Sequence, residues 1–436
     1  MTPRRIEASG GSGDEMHAGD LEEALAAHSL AGLWNISPDE IPHQPTTRAV
    51  PQQWRWSDLE PLLAEAGRLI APSGRQTTRR VPARAVCLTN SGLEGLRTTD
   101  TLCACLQHIG PGEAPPVHRH TYQAIRFVLA GHGAQTMVDG ESLAMEPGDL
   151  IVTPGWSWHG HRNNSDEPAI WLDGVDLPLV VGLGVNFSEP AGDDELPARR
   201  GGQAGWTSAG VLPLTGQPVL DGDHGMLRYP WASTRQALDR LADDGADCAR
   251  VAFVKPTTSA SVTITFGCEM TRLAAGASTG ARRETASSIV QAFRGRGEAR
   301  IGEETFAWNA GDLLAIPHWT SWELRAAADA EEPAYLFTMT DRPTAGPRLL
   351  PQPRALTPSI LRRSSMLTAT QSRRTPRAGA SRHRHSRRRA PWATSVRRGE
   401  AGRGLLRRKW TDVAMISTRL ITASSWRLGS MFLASR

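Results

Sequence analysis

The chain has 436 residues, of which 39% are hydrophobic and 22% are charged. These values are ordinary for a globular protein, and the length leaves room for two or three domains. No run approaches the roughly 18 consecutive apolar residues that a membrane helix needs. The first residues also lack the apolar segment of a secretory signal peptide. We therefore expect a cytoplasmic protein with no membrane partner.

The formal net charge of +4 is an average over two different parts of the chain. Residues 351–436 contain 20 Lys and Arg against 2 acidic residues, which leaves 29 basic and 43 acidic residues in the first 350. We interpret residues 344–436 as a basic tail that is disordered or non-native, because Arg/Ser/Pro/Ala-rich text is typical of GC-rich DNA read out of frame. The alternative is an arm for nucleic acid. No nucleic-acid partner is expected unless the tail is genuine, and His383 and His385 within it are discounted as ligands.

Helical patterns come first along the chain. Residues 1–82 are predicted to form a helical arm, with one helix from Asp20 to Trp34 and a second from Trp56 to Ile70. Ser57 and Glu60 have the spacing of a capping box at the start of the second helix.

Short β-like runs, punctuated by Gly and Pro, occupy the middle of the chain. Two such regions, residues 83–190 and 249–343, have the strand spacing of a sandwich or barrel. Residues 191–248 join them as a linker region, with one amphipathic helix predicted near Ala232–Ala242. The fold class expected is mainly β, with N-terminal helices.

The two β regions carry the same motif, 163–164 residues apart. The first copy contains Gly112, His118, His120, Thr121, Gly131, Gly148, Asp149, Pro154 and His159. The second has Gly276, Arg282, Glu284, Thr285, Gly295, Gly311, Asp312, Pro317 and Trp322 at the matching positions. The turns coincide, but all three histidines are replaced. The halves should therefore share a fold, with a metal site in the first and a structural or oligomerisation role for the second.

His118, His120 and His159 are the candidate metal ligands. Residues i and i+2 of a strand point the same way, so His118 and His120 present two imidazoles on one face. His159 follows a tight turn at the end of a later run. Three neutral imidazoles suit iron, zinc, copper or nickel.

The five cysteines form neither a CxxC pair nor an even disulfide framework. Cys103 and Cys105 alternate on a strand and should face the same side. We expect all five to be reduced thiols, of which most are buried.

At this point the sequence resembles a known superfamily. The spacing from Gly112 through the histidines to Pro154 and His159 is similar to the cupin signature, and its duplication to a bicupin. Many cupins have a metal-binding Glu where this chain has Ala124, so the predicted site is three-His. The runs around His118–Val128, Gly148–His161 and Trp171–Leu179 resemble the gentisate 1,2-dioxygenase family, which includes salicylate and 1-hydroxy-2-naphthoate dioxygenases. The resemblance covers roughly residues 20–343.

The resemblance implies an Fe(II) ring-cleaving dioxygenase with one iron per chain. The iron would bind a small aromatic hydroxy acid through its carboxylate and adjacent hydroxyl, with O2 as the second substrate; gentisate would give maleylpyruvate. A homo-oligomer, a tetramer in the family, is also implied. The alternatives are a salicylate or 1-hydroxy-2-naphthoate dioxygenase, or a non-catalytic bicupin that binds a small acid. A metal-dependent isomerase is a weaker option.

Strand parity and the resemblance together give the candidate pocket. Arg126 lies in phase with His120 and should hold the substrate carboxylate; the alternative is a structural ion pair with Asp173 or Asp149. His161, in phase with His159, is predicted as an acid/base group or donor, or as a fourth ligand. Gln107 and Asp173 could line the pocket or orient His161. Arg84 matches a further family arginine loosely and is predicted to bind substrate.

Overall fold

The computed structural model describes residues 17–70, 84–191, 226–256 and 258–345. Four α-helices longer than one turn lie in these ranges: α1 Ala18–Ala27, α2 Trp56–Leu69, α3 Leu177–Gly182 and α4 Trp231–Asp243, with a short 3-10 helix at Leu33–Asn35 and a last turn, α5, at Arg342–Ala345. The predicted tail lies outside the described residues beyond 345. Among the described residues, no helix is both long and apolar enough to cross a membrane.

Strands dominate the fold, as the sequence predicts. In chain order the described strands β1–β20 span Gln52–Trp54, Ala85–Cys87, Cys103–Ile109, His118–His120, Ala124–Ala130, Ala134–Val138, Glu141–Met145, Leu150–Thr153, His159–Asn163, Ala169–Val175, Ser188–Pro190, Arg228–Tyr229, Cys248–Phe253, Gly267–Leu273, Ser288–Arg294, Arg296–Ile301, Glu304–Asn309, Leu313–Ile316, Trp322–Ala326 and Ala334–Thr340. They form four antiparallel sheets, two for each barrel. The expected bicupin is confirmed.

The first barrel pairs a six-stranded sheet, β12-β8-β5-β10-β3-β2, with a five-stranded sheet, β11-β4-β9-β6-β7. The second pairs a six-stranded sheet, β1-β18-β15-β20-β14-β13, with the three strands β17-β16-β19. The outer faces of the two six-stranded sheets share one hydrophobic core. Phe127 and Phe337 stack across it with ring centroids 4.2 Å apart. Burial of these apolar faces is the main force that holds the halves together.

Two strand–helix segments cross between the barrels. β1, which precedes the first barrel in sequence, pairs with β18 of the second. β12, which precedes the second barrel, pairs with β8 of the first. The helices that follow them, α2 and α4, contact β3 and β13 of their own succeeding barrels. The predicted helical arm and linker region therefore each contribute one strand to a sheet.

The Gly-Asp pair of the repeated motif anchors these crossing segments. Asp149 Oδ1 accepts the backbone N–H of Trp231 at 2.8 Å, and Asp312 Oδ1 accepts that of Trp56 at 2.8 Å. The preceding Gly148 has a φ of +91°, and a Cβ there would lie 2.7 Å from Trp231. Only glycine combines this backbone conformation with so close a neighbour.

The first N–H group of α2 is thus satisfied by a residue more than 250 positions away in sequence. The capping box predicted at Ser57 and Glu60 is wrong, because the helix begins at Trp56, two residues earlier than that box requires, and has no local side-chain cap. The helix near Ala232–Ala242 is confirmed as α4.

Candidate metal centre

The three predicted ligands come together inside the first barrel. His118 and His120 lie at the two ends of the short strand β4, and His159 begins β9 directly opposite His118. One ring nitrogen from each lies within 4.8 Å of the others, and all three side chains are buried. The i, i+2 geometry expected from the sequence is the one observed.

Backbone carbonyl groups fix the tautomer of all three imidazoles. Each Nδ1 lies 2.8–3.0 Å from a carbonyl oxygen two residues away in sequence. The acceptors belong to Pro116, Tyr122 and Ser157. A carbonyl can only accept, so Nδ1 carries the hydrogen and Nε2 keeps its lone pair. The three Nε2 atoms are therefore the available ligands.

Burial keeps these histidines neutral. Desolvation lowers the pKa of His118. It lowers the pKa of His120 to about 3 and holds the pKa of His159 well below its usual value. The nearby guanidinium of Arg126 lowers each pKa further. Neutral imidazoles with free Nε2 atoms are what a first-row transition metal requires, so the residues present fit such an ion.

Ala124, at the position where many cupins have a metal-binding Glu, lies in an apolar part of the barrel wall. Ala124 is buried and packs with Cys103, Cys105 and Val175. Because no carboxylate occupies this position, the protein supplies three imidazole ligands and leaves part of a metal ion's coordination sphere open.

Arg126 is buried on the inner face of the same barrel. Its Nη1 donates to the hydroxyl oxygen of Thr153 at 2.5 Å, and its Nε lies 3.4 Å from Oδ1 of Asp173. Of the two structural partners considered from the sequence, Asp173 is therefore close. Asp149 instead binds Arg228. The Nε of Arg126 is buried without a hydrogen-bond partner, so the guanidinium retains unused donor capacity.

Asp173 is held by two neighbours. Trp171 Nε1 donates to its Oδ1 at 3.0 Å, and Arg126 supplies the opposite charge. Burial nevertheless raises the pKa of Asp173 to about 6. The carboxylate is thus ionised at neutral pH but close to its titration range.

His161 is buried beside the ligands. Its ring is 6.2 Å from that of His159 and 5.1 Å from that of Trp171, centroid to centroid. The Thr136 hydroxyl donates to the sulfur of Met145 at 3.1 Å, so its oxygen is left to accept from His161 Nδ1 at 3.0 Å. Burial keeps the pKa of His161 well below its usual value. A neutral imidazole with a free Nε2 can take up a proton.

Gln107 is also on the inner wall, directly opposite Trp171 in the β3–β10 ladder. Its side-chain amide nitrogen is buried without a hydrogen-bond partner. An orphaned buried donor is costly unless a ligand satisfies it.

Three residues of the site receive no role from the sequence. Tyr122 stacks on His120 with ring centroids 3.6 Å apart and planes within 7°. Thr136 and Thr153 position His161 and Arg126 from neighbouring strands. Parity did place Tyr122 on the ligand face, whereas the two threonines give no sequence signal, because cross-strand register decides their neighbours.

Arg84 is not brought to the histidines. Its guanidinium binds Glu113 at 2.6 Å and the backbone oxygen of His108 at 2.9 Å. His108 lies on the outer face of β3, the side opposite Gln107. This geometry gives no support to the substrate-binding role predicted for Arg84, because its donors are engaged on the other side of the sheet.

The cysteine expectation also needs correction. Cys87 and Cys105 form a disulfide, whereas Cys103, Cys248 and Cys268 are free thiols. The register of β2 with β3 sets these two cysteines directly opposite each other. Their separation of 18 residues carries no recognisable pattern in the sequence.

The second barrel has no equivalent site among its described residues. Arg282 stacks over the ring of Trp322, its guanidinium carbon 4.9 Å from the ring centroid, and the two backbones bridge as those of His118 and His159 do. Glu284 pairs with Arg342 at 2.8 Å. An ion-pair and stacking network has replaced the ligands.

Comparison with known proteins agrees with this architecture. Residues 105–175 match the model of the cupin domain family. Over 345 residues the chain is 38% identical to a gentisate 1,2-dioxygenase from a Streptomyces species, covering 76% of this chain and 92% of that protein. It is 36% identical over 334 residues to a 1-hydroxy-2-naphthoate 1,2-dioxygenase from Nocardioides sp. (strain KP7), covering 74% and 84%.

A solved structure is similar over the same region. The salicylate 1,2-dioxygenase of Pseudoaminobacter salicylatoxidans, determined as adducts with gentisate, superimposes with a TM-score of 0.63 at 34% identity, covering 76% of this chain and 92% of that one. With its two barrels, its single described three-histidine cluster and these relatives, the chain belongs to the gentisate 1,2-dioxygenase family of bicupins.

Proposed function

We propose that the protein is an Fe(II)-dependent dioxygenase that converts gentisate and O2 to maleylpyruvate, with one iron held by His118, His120 and His159. When bound there, iron supplies open coordination positions for the carboxylate and adjacent hydroxyl of the substrate and for O2. The chain's own residues bind the acid, orient it and manage its protons.

One observation carries the proposal: two buried donors without partners lie on the inner face of the barrel that holds the three histidines. The Nε of Arg126 and the amide nitrogen of Gln107 are both unsatisfied. A buried donor without a partner is costly unless a ligand satisfies it. An aromatic carboxylate that entered beside the histidines would satisfy both donors with charge-assisted hydrogen bonds.

His161 and Asp173 have supporting roles in this proposal. The free Nε2 of His161 accepts a proton from a phenolic hydroxyl of the substrate as the ring opens. Asp173 keeps the guanidinium of Arg126 charged and oriented. Thr153 fixes the other end of that guanidinium, so that the carboxylate meets a preorganised partner.

The relatives support gentisate and also the alternatives. One relative is named a gentisate dioxygenase, and the solved salicylate dioxygenase was determined as adducts with gentisate. Another is named for 1-hydroxy-2-naphthoate, which lacks the 5-hydroxyl of gentisate. Salicylate and 1-hydroxy-2-naphthoate are therefore the competing substrates.

The test compares the three acids on one preparation. Full-length protein purified under nitrogen is loaded with Fe(II) and mixed with each acid in air-saturated buffer. Absorbance of the ring-opened product and O2 consumption are recorded together. We expect gentisate to have the highest kcat/KM, with one O2 consumed per product. Faster turnover of another acid overturns the substrate assignment, and no turnover of any acid by iron-loaded protein overturns the activity.

A homotetramer and a cytoplasmic location belong to the same proposal. Leu183, Val185 and Phe187 are large apolar side chains that are more than half exposed in the single chain. They follow α3 beside the edge strand β11, and a second copy of the chain would cover them. Light scattering of the purified protein tests the assembly, and fractionation of the source cells tests the location.

A further inference from the structure

Three cysteines lie together on the inner wall of the first barrel. Cys105 is directly opposite Cys87 in β2 on one side and Asp173 in β10 on the other. Cys103 is two residues earlier on the same face, and its sulfur lies 3.6 Å from that of Cys105. All three sulfur atoms lie within 4.8 Å of one another. The proposed function uses none of them.

The cluster adjoins the groups that would hold the substrate. Tyr122 packs against it and stacks on the ligand His120. Asp173, the ladder neighbour of Cys105, lies 3.4 Å from the guanidinium of Arg126. A change in position of the Cys105 sulfur therefore reaches the cavity wall through a single layer of side chains.

The three sulfurs differ in accessibility. Cys103 is fully buried, and burial raises its pKa to about 12, so it stays a protonated and unreactive thiol. Cys87 is partly exposed at the outer strand of the sheet. A small thiol or disulfide in solution can therefore reach Cys87 but not Cys103.

We propose that Cys87 and Cys105 are a redox-active pair that couples the thiol–disulfide balance of the surroundings to substrate binding in the adjacent cavity. This inference rests on the proposed function, because the ligand whose binding it controls is the substrate of that site. It identifies a regulatory modification site that is separate from the metal ligands.

The exchange reaction balances with a low-molecular-weight thiol such as glutathione. Its thiolate attacks the sulfur of Cys87, the Cys87–Cys105 bond breaks, and Cys105 leaves as a thiolate that takes up a proton. A second glutathione attacks the mixed disulfide and releases Cys87 as a thiol. Two protein thiols and one glutathione disulfide result, and the reverse sequence oxidises the pair.

The geometry gives the direction of the effect. The disulfide ties the Cys105 sulfur to Cys87 in β2, whereas Asp173 is the neighbour of Cys105 in β10. After reduction the two sulfurs no longer share a bond and must separate, which frees the Cys105 side chain to turn towards Asp173 and the cavity. We expect reduction to weaken gentisate binding roughly 3- to 10-fold, comparable to the loss of one hydrogen bond.

The experiment equilibrates the full-length protein anaerobically in oxidised or reduced glutathione. Ascorbate in both arms keeps the iron ferrous, so that thiols do not act through the metal. Alkylation after denaturation counts the thiols: of the five cysteines, the disulfide form should react at three and the reduced form at five. Gentisate binding and KM are then measured for each form.

Two variants sharpen the result. Cys87→Ser cannot form the pair and should have the same gentisate affinity in both buffers, with Cys105→Ser as the replacement if Cys87→Ser does not fold. Cys248→Ser is the matched control, because this partly exposed thiol belongs to the second barrel. It should keep the full redox response.

Three results overturn the inference. The first is five reactive thiols in oxidised glutathione. The second is a disulfide that forms while substrate affinity and KM stay equal in both states; turnover in that case leaves the proposed function standing. The third is protection from alkylation by a zinc or copper ion, revealed by metal analysis, which would make the cluster a metal site.

Absence of binding by gentisate, salicylate and 1-hydroxy-2-naphthoate in both states overturns the coupling and the proposed function together, while the thiol count still reports on the pair.

Discussion

The Nε of Arg126 lies 3.4 Å from Oδ1 of Asp173, and both side chains are on the inner wall of the barrel that carries the three histidines. The contact is a loose ion pair rather than a close hydrogen bond, and that Nε has no other partner. The guanidinium is therefore held in place without being fully used, as a receptor for an anion requires.

Replacement of Arg126 should separate substrate binding from metal binding. We expect Arg126→Gln to retain iron and to raise KM for gentisate about 10- to 100-fold, because a hydrogen bond to a charged group contributes roughly 1.5–3 kcal/mol. Metal analysis and steady-state kinetics measure the two effects. Arg300→Gln, on an exposed position of β16, is the matched control. An unchanged KM in Arg126→Gln would show that the arginine is purely structural.

Removal of a candidate metal ligand should abolish iron binding. In His118→Ala or His159→Ala only two of the three converging imidazoles remain, and we expect the protein to lose iron while it stays folded. Metal content and circular dichroism are the measurements. His132→Ala is the control, since that side chain is 71% exposed. Full iron content in either ligand variant would contradict the assignment.

The pH profile should contain the titration of Asp173. Burial raises its pKa to about 6 from 3.8, so the folded protein binds this proton more tightly than the unfolded chain. Its contribution to stability is then most favourable below about pH 4 and declines as pH rises towards 6. Activity should depend on pH in the opposite direction and fall as the pH is lowered, because only the ionised carboxylate of Asp173 pairs with Arg126.

We therefore expect kcat/KM to fall below about pH 6. In Asp173→Asn this acid limb should disappear, together with the matching pH dependence of the free energy of unfolding. Both are measured between pH 4.5 and 8 with the iron content monitored. If kcat/KM of the variant fell over the same pH range as that of the unmodified protein, the acid limb would belong to another group.

The two Gly-Asp turns should matter equally for stability, although only one barrel has the ligands. Asp149→Ala leaves the backbone N–H of Trp231 and the guanidinium of Arg228 without their partner. We expect a loss of about 2–4 kcal/mol in the free energy of unfolding, measured in urea, and a similar loss for Asp312→Ala. Asp329→Ala, whose side chain is 77% exposed, should change stability little. A large difference between the first two would mean that the anchors are not equivalent.

Truncation tests the interpretation of the basic tail. A chain that ends at residue 345 keeps every described strand and helix. We expect it to retain the activity and the melting temperature of the full chain. Loss of folding or of turnover in the truncated chain would show that residues 346–436 contribute to the enzyme.

The repeat and the strand parity were sufficient to predict the barrels and much of the site. Gly-Asp turns and alternating residues are local signals, so His118, His120, His159, Arg126 and His161 could be set on inward faces from the sequence alone. Partners that depend on cross-strand register could not be predicted. Thr136 under His161, Cys87 opposite Cys105 and Glu113 on Arg84 all come from neighbouring strands or loops. The cap of α2 by Asp312 could not be predicted either, because the two residues are far apart in the sequence.

Because β1 and β12 cross between the barrels, neither sequence repeat contains all the strands of its own barrel. A cut between residues 191 and 226 would separate the chain at its apparent midpoint, yet each piece would carry a strand whose hydrogen-bonding partner is in the other. The second barrel therefore cannot be discarded as a dispensable duplicate. The first half of the chain supplies β1 to the sheet of the second barrel, and the second half supplies β12 to the sheet of the first. Selection on the active barrel therefore also retains the second barrel.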